Sequence, residues 1–269
     1  MIMSSVSFAS DPNASINSAP TAIMPPKIAV DPNGFQADEN DIIAICSSAG
    51  QELWKYFPDV QIPSIIVRHS DICPMAVFHP SENQEQIILL ATSGNFWCQY
   101  SYQFSHEIAH VLAGFKDGNI DNHWFEETIC ETASLFVLRQ MANSWKSSPP
   151  KPHWADYRDI LRNYADITMR NYPYTNELFR LGMPAFYQKY AQKLRTNPCN
   201  RDLNGSMAIV LLHYFEESPQ HWEAIHWLNA KRTEESVSFN IYLKNWYQSV
   251  PNEHKGFVLK IAKLYGIVH

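Results

Sequence analysis

Two short stretches of this chain carry side chains whose types and spacing can do chemistry together. Residues 106–110 read His106-Glu107-Ile108-Ala109-His110, and residues 124–131 read Trp124-Phe125-Glu126-Glu127-Thr128-Ile129-Cys130-Glu131. Histidines four apart on a helix stand one above the other, about 6 Å along the axis. Both imidazoles can then reach one metal ion, while Glu107 is held beside that ion and not on it. This is the mechanical content of the H-E-x-x-H zinc pattern: two nitrogen ligands, and a carboxylate placed to take a proton from water. The chemistry indicated is metal-assisted hydrolysis.

The local pattern supports a helix here. Phe104, Ile108, Val111 and Phe115 recur at helical spacing and form one apolar stripe. His106 and His110 fall about 210° from the centre of that stripe, so one face is buried and the other carries the imidazoles. Gly114 stands where a left-handed residue commonly ends a helix.

Catalytic zinc needs three protein ligands and an open position. A helix over residues 123 to about 143 would put Glu127, Glu131 and Ser134 on one face and Ile129, Ala133 and Phe136 on the other. Glu127 follows His110 by seventeen residues, room for a turn and an antiparallel return, and residues 115–122 are rich in turn formers. Glu127 is therefore the expected third ligand. Glu131, one turn later, is expected to accept from the far ring nitrogen of a ligand histidine and fix its tautomer. It is also the competitor for the ligand position. His123 could substitute as a ligand, although a histidine there is expected to cap or solvate the helix start.

At this point the sequence resembles the gluzincin metallopeptidases, which include thermolysin-like and aminopeptidase-N-like enzymes. The resemblance rests on His106-Glu107-Ile108-Ala109-His110 and on Trp124-Phe125-Glu126-Glu127, similar to a W-[LF]-N-E-G segment with Glu126 in place of the usual Asn. It implies a Zn²⁺ cofactor held by His106, His110 and Glu127, with Glu107 as catalytic base, Glu131 as supporting acid, and a peptide or protein substrate. Strong similarity covers about thirty residues. The metzincin pattern is excluded, because its Gly and His positions hold Ala113 and Lys116. No G-x-M-E-N segment precedes His106, so capture of a substrate amino terminus by that route is not expected. Residues 201–214 resemble the aminopeptidase-like Y-x-x-G-x-x-x-x-x-x-L segment, but the tyrosine position holds Asp202. An anion cannot stabilise an oxyanion, so Tyr214, His213 or an arginine must do so, or the segment is simply a core helix. The competing reading is a catalytically weak or inactive gluzincin-like module that binds a peptide or protein partner.

The remaining elements must position these groups. Glu39–Tyr56 reads as an amphipathic helix, and Ser64–Arg68, Met75–Phe78 and Gln86–Thr92 read as short strands. The helix bearing the histidines follows from about Trp97. The last strand before it is expected at the sheet edge, where an extended peptide could pair with it. Beyond residue 157 the pattern is helical throughout, over 157–172, 176–196, 203–216, 219–229, 236–248 and 253–266. His221 and His226 lie off a common face and read as structural. The expected class is α+β and mostly helical: a zincin-type small sheet and H-E-x-x-H helix over 36–150, then an all-helical part over 151–269.

Composition bounds the partners. The 269 residues carry a formal charge of -6, which gives no basic surface for nucleic acid. No run of eighteen apolar residues occurs, so no membrane span is expected. The five cysteines (Cys46, Cys73, Cys98, Cys130, Cys199) are dispersed and odd in number, without a disulfide framework or paired zinc motif. Cys130 is expected to pack beside the histidine helix without acting as a ligand. Residues 1–35 are rich in Ser, Ala, Asn and Pro and are expected to be a disordered or processed tail. Residues 1–9 lack the basic segment of a signal peptide. A cytoplasmic location fits the chain as written, and a secreted or periplasmic one fits if those residues are the remnant of a longer leader.

Overall fold

In a computed structural model of the chain, the described residues are 25–115, 120–232 and 235–267. The first elements are β1 (Ile28–Val30), α1 (Glu39–Trp54), β2 (Ile65–His69), β3 (Met75–Ala76) and β4 (Gln86–Leu90). Their strands form a mixed sheet in the order β1-β2-β4-β3. β1, β2 and β4 run parallel, with Val30 opposite Val67 and Val67 opposite Ile88. β3 runs antiparallel to β4 with Ala76 opposite Ile88. Parallel neighbours need a crossover, and α1 supplies it between β1 and β2. Asp38 starts α1 by accepting from the Asn40 and Asp41 amides, with Glu39 and Asp41 in the first turn favouring the positive helix end.

Two expectations about this part are corrected. Residues 28–30 belong to the sheet and not to a disordered tail: Ile28 and Val30 are buried and Ala29 half-buried, an alternation that a three-residue strand can satisfy only against β2. Residues 1–24 of the expected tail, including 1–9, lie outside the described residues. The last strand before the histidine helix is also not an edge. β4 is held between β2 and β3, because buried Ile88 and Leu90 and half-buried Ile87 and Leu89 need cover on both sides. The two-residue β3 is the edge instead.

The helices are α2 (Trp97–Leu112), α3 (His123–Ser144), α4 (Tyr157–Asn171), α5 (Thr175–Leu181), α6 (Met183–Thr196), α7 (Arg201–Glu217), α8 (Phe239–Ser249) and α9 (Asn252–Leu264). The fold is α+β and mostly helical, as the sequence indicates. The single helix expected over 176–196 is broken at Gly182, whose φ of 77° cannot continue a right-handed helix, and the next one starts at Met183 with Pro184 in its first turn. Residues 219–227 form a 3₁₀ segment and not an α-helix, beginning at a proline. Gly114 has the left-handed φ of 61° expected at the end of α2.

α2 lies against α1 and the sheet, and α3 returns alongside α2 while also packing on α4 and α7. α3 is consequently buried nearly all round, and one continuous apolar core runs from Ile28 to Tyr265 through both expected subdomains. α7 carries one position where side-chain size is decisive. A β-carbon at Gly205 would fall 2.1 Å from the Tyr172 ring. The missing side chain lets Tyr172 reach its partner, described below. Gly205→Ala should therefore destabilise the protein by about 1–3 kcal/mol through overpacking, despite alanine's better helix propensity. Chemical denaturation would measure this; an unchanged or raised unfolding free energy would contradict it.

Candidate metal centre

α2 and α3 face each other across a cleft of about 690 Å³. α2 brings His106, Glu107 and His110 to it, and α3 brings His123, Glu127 and Glu131. On each helix the spacings of three and four residues explain why these groups share one face.

Glu127 is the point of convergence. Its Oε2 lies 3.2 Å from His106 Nε2, and its Oε1 lies 3.6 Å from His110 Nε2 and 3.1 Å from His123 Nε2. The opposite ring nitrogens point at other carboxylates. His106 Nδ1 is 3.3 Å from Glu131 Oε2, and His110 Nδ1 is 2.7 Å from Glu126 Oε1. Each ligand-type histidine of α2 thus has its outer nitrogen backed by a buried acid and its inner nitrogen turned to Glu127. Backing of this kind fixes ring orientation and tautomer. Two sets of metal-ligand atoms lie within 4.8 Å of one another: His106, His110 and Cys130, and His123, Glu127 and Cys199. The expected trio of His106, His110 and Glu127 is not itself one of these sets: the two histidines approach different oxygens of Glu127, at 3.2 and 3.6 Å.

The acids are anchored from behind. Glu131 Oε1 accepts from both the Tyr102 and the Tyr172 hydroxyls, while its Oε2 faces His106 Nδ1. Fully buried Glu126 accepts from Asn229 Nδ2 at 2.8 Å and pairs with Arg232 at 3.3 Å. Glu107 accepts from the Ala76 amide at 2.7 Å. That amide points away from β4, because β3 pairs with it through the neighbouring Val77 amide. The sheet edge therefore holds the carboxylate between the two histidines.

Electrostatics follow from this crowding. Burial opposes a charged His106, but the carboxylates of Glu127 and Glu131 outweigh it and hold its pKa well above the usual imidazole range. Burial likewise opposes a charged His123, yet hydrogen bonds to Cys199, Glu126 and Glu127 push it up to about 11. Burial would raise the pKa values of Glu126 and Glu127, but the surrounding imidazoles hold both below the ordinary carboxylate range. Glu131 is lowered too, with His106, Arg201 and Tyr102 overcoming its burial. Burial and four neighbouring carboxylates push the Cys130 thiol far up, which keeps it neutral beside the histidines.

Three sequence expectations change here. His123 neither caps α3 nor projects into solvent; it stacks on His110 with ring centroids 5.9 Å apart. Glu126, read from sequence only as a departure from Asn, is the carboxylate behind His110. Its position sixteen residues after His110 and next to Glu127 was the available signal, but its partners Asn229 and Arg232 are more than a hundred residues away. Of the alternative cations and donors, His213 is exposed and paired with Glu217, whereas Arg201 lines the cleft. Asp202 is exposed on the same helix. Comparison with protein-family models, curated proteins and solved structures finds no match.

The pH dependence of the metal-stripped protein follows. Imidazoles with raised folded pKa values stabilise the fold fully below about pH 6.5, and that contribution fades as pH rises through their folded values, which for His123 is about 11. Depressed carboxylates act in the opposite sense, losing their contribution as pH falls below about 4.3. Thermal unfolding in chelator should give its highest Tm between about pH 5 and 6.5 and a steady fall above that range. A Tm that stays level from neutral to alkaline pH would refute the protonated cluster.

Proposed function

We propose that this protein is a zinc-dependent hydrolase of the gluzincin type that cleaves peptide bonds. One observation carries the reading: His106 and His110 turn their Nε2 atoms to Glu127 while Glu131 and Glu126 back their Nδ1 atoms. Two nitrogens and a carboxylate oxygen are the donor set of a hydrolytic zinc site, and the orienting acids are the usual supplement. An isolated buried acid cluster would have no reason to orient both rings. Glu131 fits the supporting role better than the ligand role, since its oxygens already serve two phenols and His106.

Zinc on His106, His110 and Glu127 would supply Lewis acidity and lower the pKa of a bound water to about 7. Glu107 is the group to take the proton from the attacking water and return it to the leaving amine. The Ala76 amide orients that carboxylate. Arg201, on the cleft wall, is the cation in place of the absent tyrosine for the negative charge that develops on the carbonyl oxygen. The edge strand β3, its Ala76 amide engaged by Glu107 and exposed Ile72, Met75 and Phe78 nearby, offers an extended, partly apolar seat for a peptide. The zincin-type arrangement of sheet edge, base and metal helix is part of the same proposal.

Four substitutions test it. His110→Ala should abolish binding at this zinc position. Glu127→Gln should remove most of the affinity there, whereas Glu131→Gln should lose about 10–100-fold. Glu107→Gln keeps an acceptor for the Ala76 amide, so zinc content and Tm should hold while hydrolysis of a peptide library falls by about 10²–10⁴. No cleavage by the zinc-loaded protein, or equal cleavage by Glu107→Gln, would reject the hydrolase and leave a peptide-binding module.

A further inference from the structure

The cleft contains two donors that the proposed site does not use, His123 and Cys199, and both meet it at Glu127. Cys199 stands in the turn before α7, and its Sγ lies 3.5 Å from Glu127 Oε1. His123 Nε2 lies 3.1 Å from the same oxygen, and all three donor atoms are within 4.8 Å of one another. Zinc–nitrogen, zinc–oxygen and zinc–sulfur bonds of about 2.0, 2.1 and 2.3 Å give tetrahedral N···O and S···O edges of about 3.3 and 3.6 Å. The two separations to Glu127 Oε1, 3.1 and 3.5 Å, match these edges to within a few tenths of an ångström.

His123 is prepared in the same way as His110. Both present Nε2 to Glu127 Oε1, and both turn Nδ1 toward Glu126, His110 at 2.7 Å and His123 at 3.7 Å. His123 Nδ1 is buried without a hydrogen-bond partner. Hydrogen bonding could account for each contact separately. It gives no reason for a thiol and a second carboxylate-backed imidazole to meet at the oxygen of Glu127 that faces away from His106.

We infer that Glu127 bridges two metal positions, with Oε2 serving the His106 side and Oε1 serving a second divalent cation held by His123 and Cys199. The inference rests on the proposed zinc site only in sharing Glu127. Binding at the second position displaces two protons to solvent, one from the Cys199 thiol and one from the His123 imidazolium, leaving a thiolate and a neutral imidazole as ligands. A thiolate and an imidazole select zinc or cobalt over magnesium or calcium. Cys199 is exposed, so its substitution need not disturb the core.

The full-length protein, stripped and titrated with Zn²⁺ alone, should take up two equivalents. Cys199→Ser and His123→Asn should each take up one and keep the wild-type circular dichroism. Loaded with Co²⁺, the wild type should show a thiolate-to-metal charge-transfer band that Cys199→Ser loses and Cys130→Ala keeps. Zinc should also slow alkylation of Cys199 but not of exposed Cys73, as mapped by mass spectrometry. A single equivalent in the wild type, two in Cys199→Ser, or a charge-transfer band that survives Cys199→Ser would each overturn the inference. His110→Ala separates the two claims: loss of one equivalent with the charge-transfer band retained supports both. Two retained equivalents would reject the His106–His110 site while leaving the His123–Cys199 site standing.

Discussion

The site depends on the burial of several negative charges on one face of α3. Glu126, Glu127 and Glu131 are all withdrawn from water, and an uncompensated carboxylate in such a place would take up a proton or unfold the helix. The structure supplies compensation from every side: imidazoles from α2 and from the start of α3, phenols from Tyr102 and Tyr172, and guanidinium groups from Arg201 and Arg232. Each acid has its own set. Because those sets do not overlap fully, the three carboxylates are distinct in role although they differ by only a few residues in position.

Geometry then separates support from reactivity. Glu126 is held by His110, Asn229 and Arg232, and Glu131 by two phenols on one oxygen with His106 facing the other. Among the described residues, the side-chain partners of the Glu127 carboxylate are His106, His110, His123 and Cys199, all of metal-ligand type. Glu107 is restrained by a single amide of the sheet edge. The most accessible acids are thus the ones proposed to bind metal and move protons, and the most anchored ones orient the rings. Tyr172 belongs to the anchoring layer, and the absent side chain at Gly205 is what admits it.

Much of this was legible in the sequence where the interactions are local. The i, i+4 relation of His106 and His110, the shared face of Glu127 and Glu131, and the end of α2 at Gly114 all follow from helical periodicity. The strands at 75–76 and 86–90 lie within those expected from alternation and turn residues, and the strand at 65–69 is displaced by one residue from the expected 64–68. What could not be read required partners remote in the chain. The order of strands depends on which short strand finds cover, so β4 proved internal and β3 the edge. The role of Glu126 depends on Asn229 and Arg232, and the placement of Cys199 beside His123 depends on how α6 and α7 are joined. The break at Gly182 was visible as a glycine with a proline two residues later, but the apolar pattern runs through it.

The dependence of Glu126 on Asn229 and Arg232 has a consequence for how the molecule is made. The ribosome delivers α2 and α3 about a hundred residues before those partners, and at about 5–20 residues per second this is a delay of about 5–20 s. Throughout that interval the nascent chain holds Glu126 without Asn229 or Arg232, and for most of it Glu131 without Arg201, so desolvation of these acids is unfavourable. Maturation of the centre is accordingly a late event, tied to the carboxy-terminal third of the polypeptide and not to the segment that contains the motif. A fragment ending near residue 150 would retain every residue of the H-E-x-x-H pattern yet lack the means to bury it.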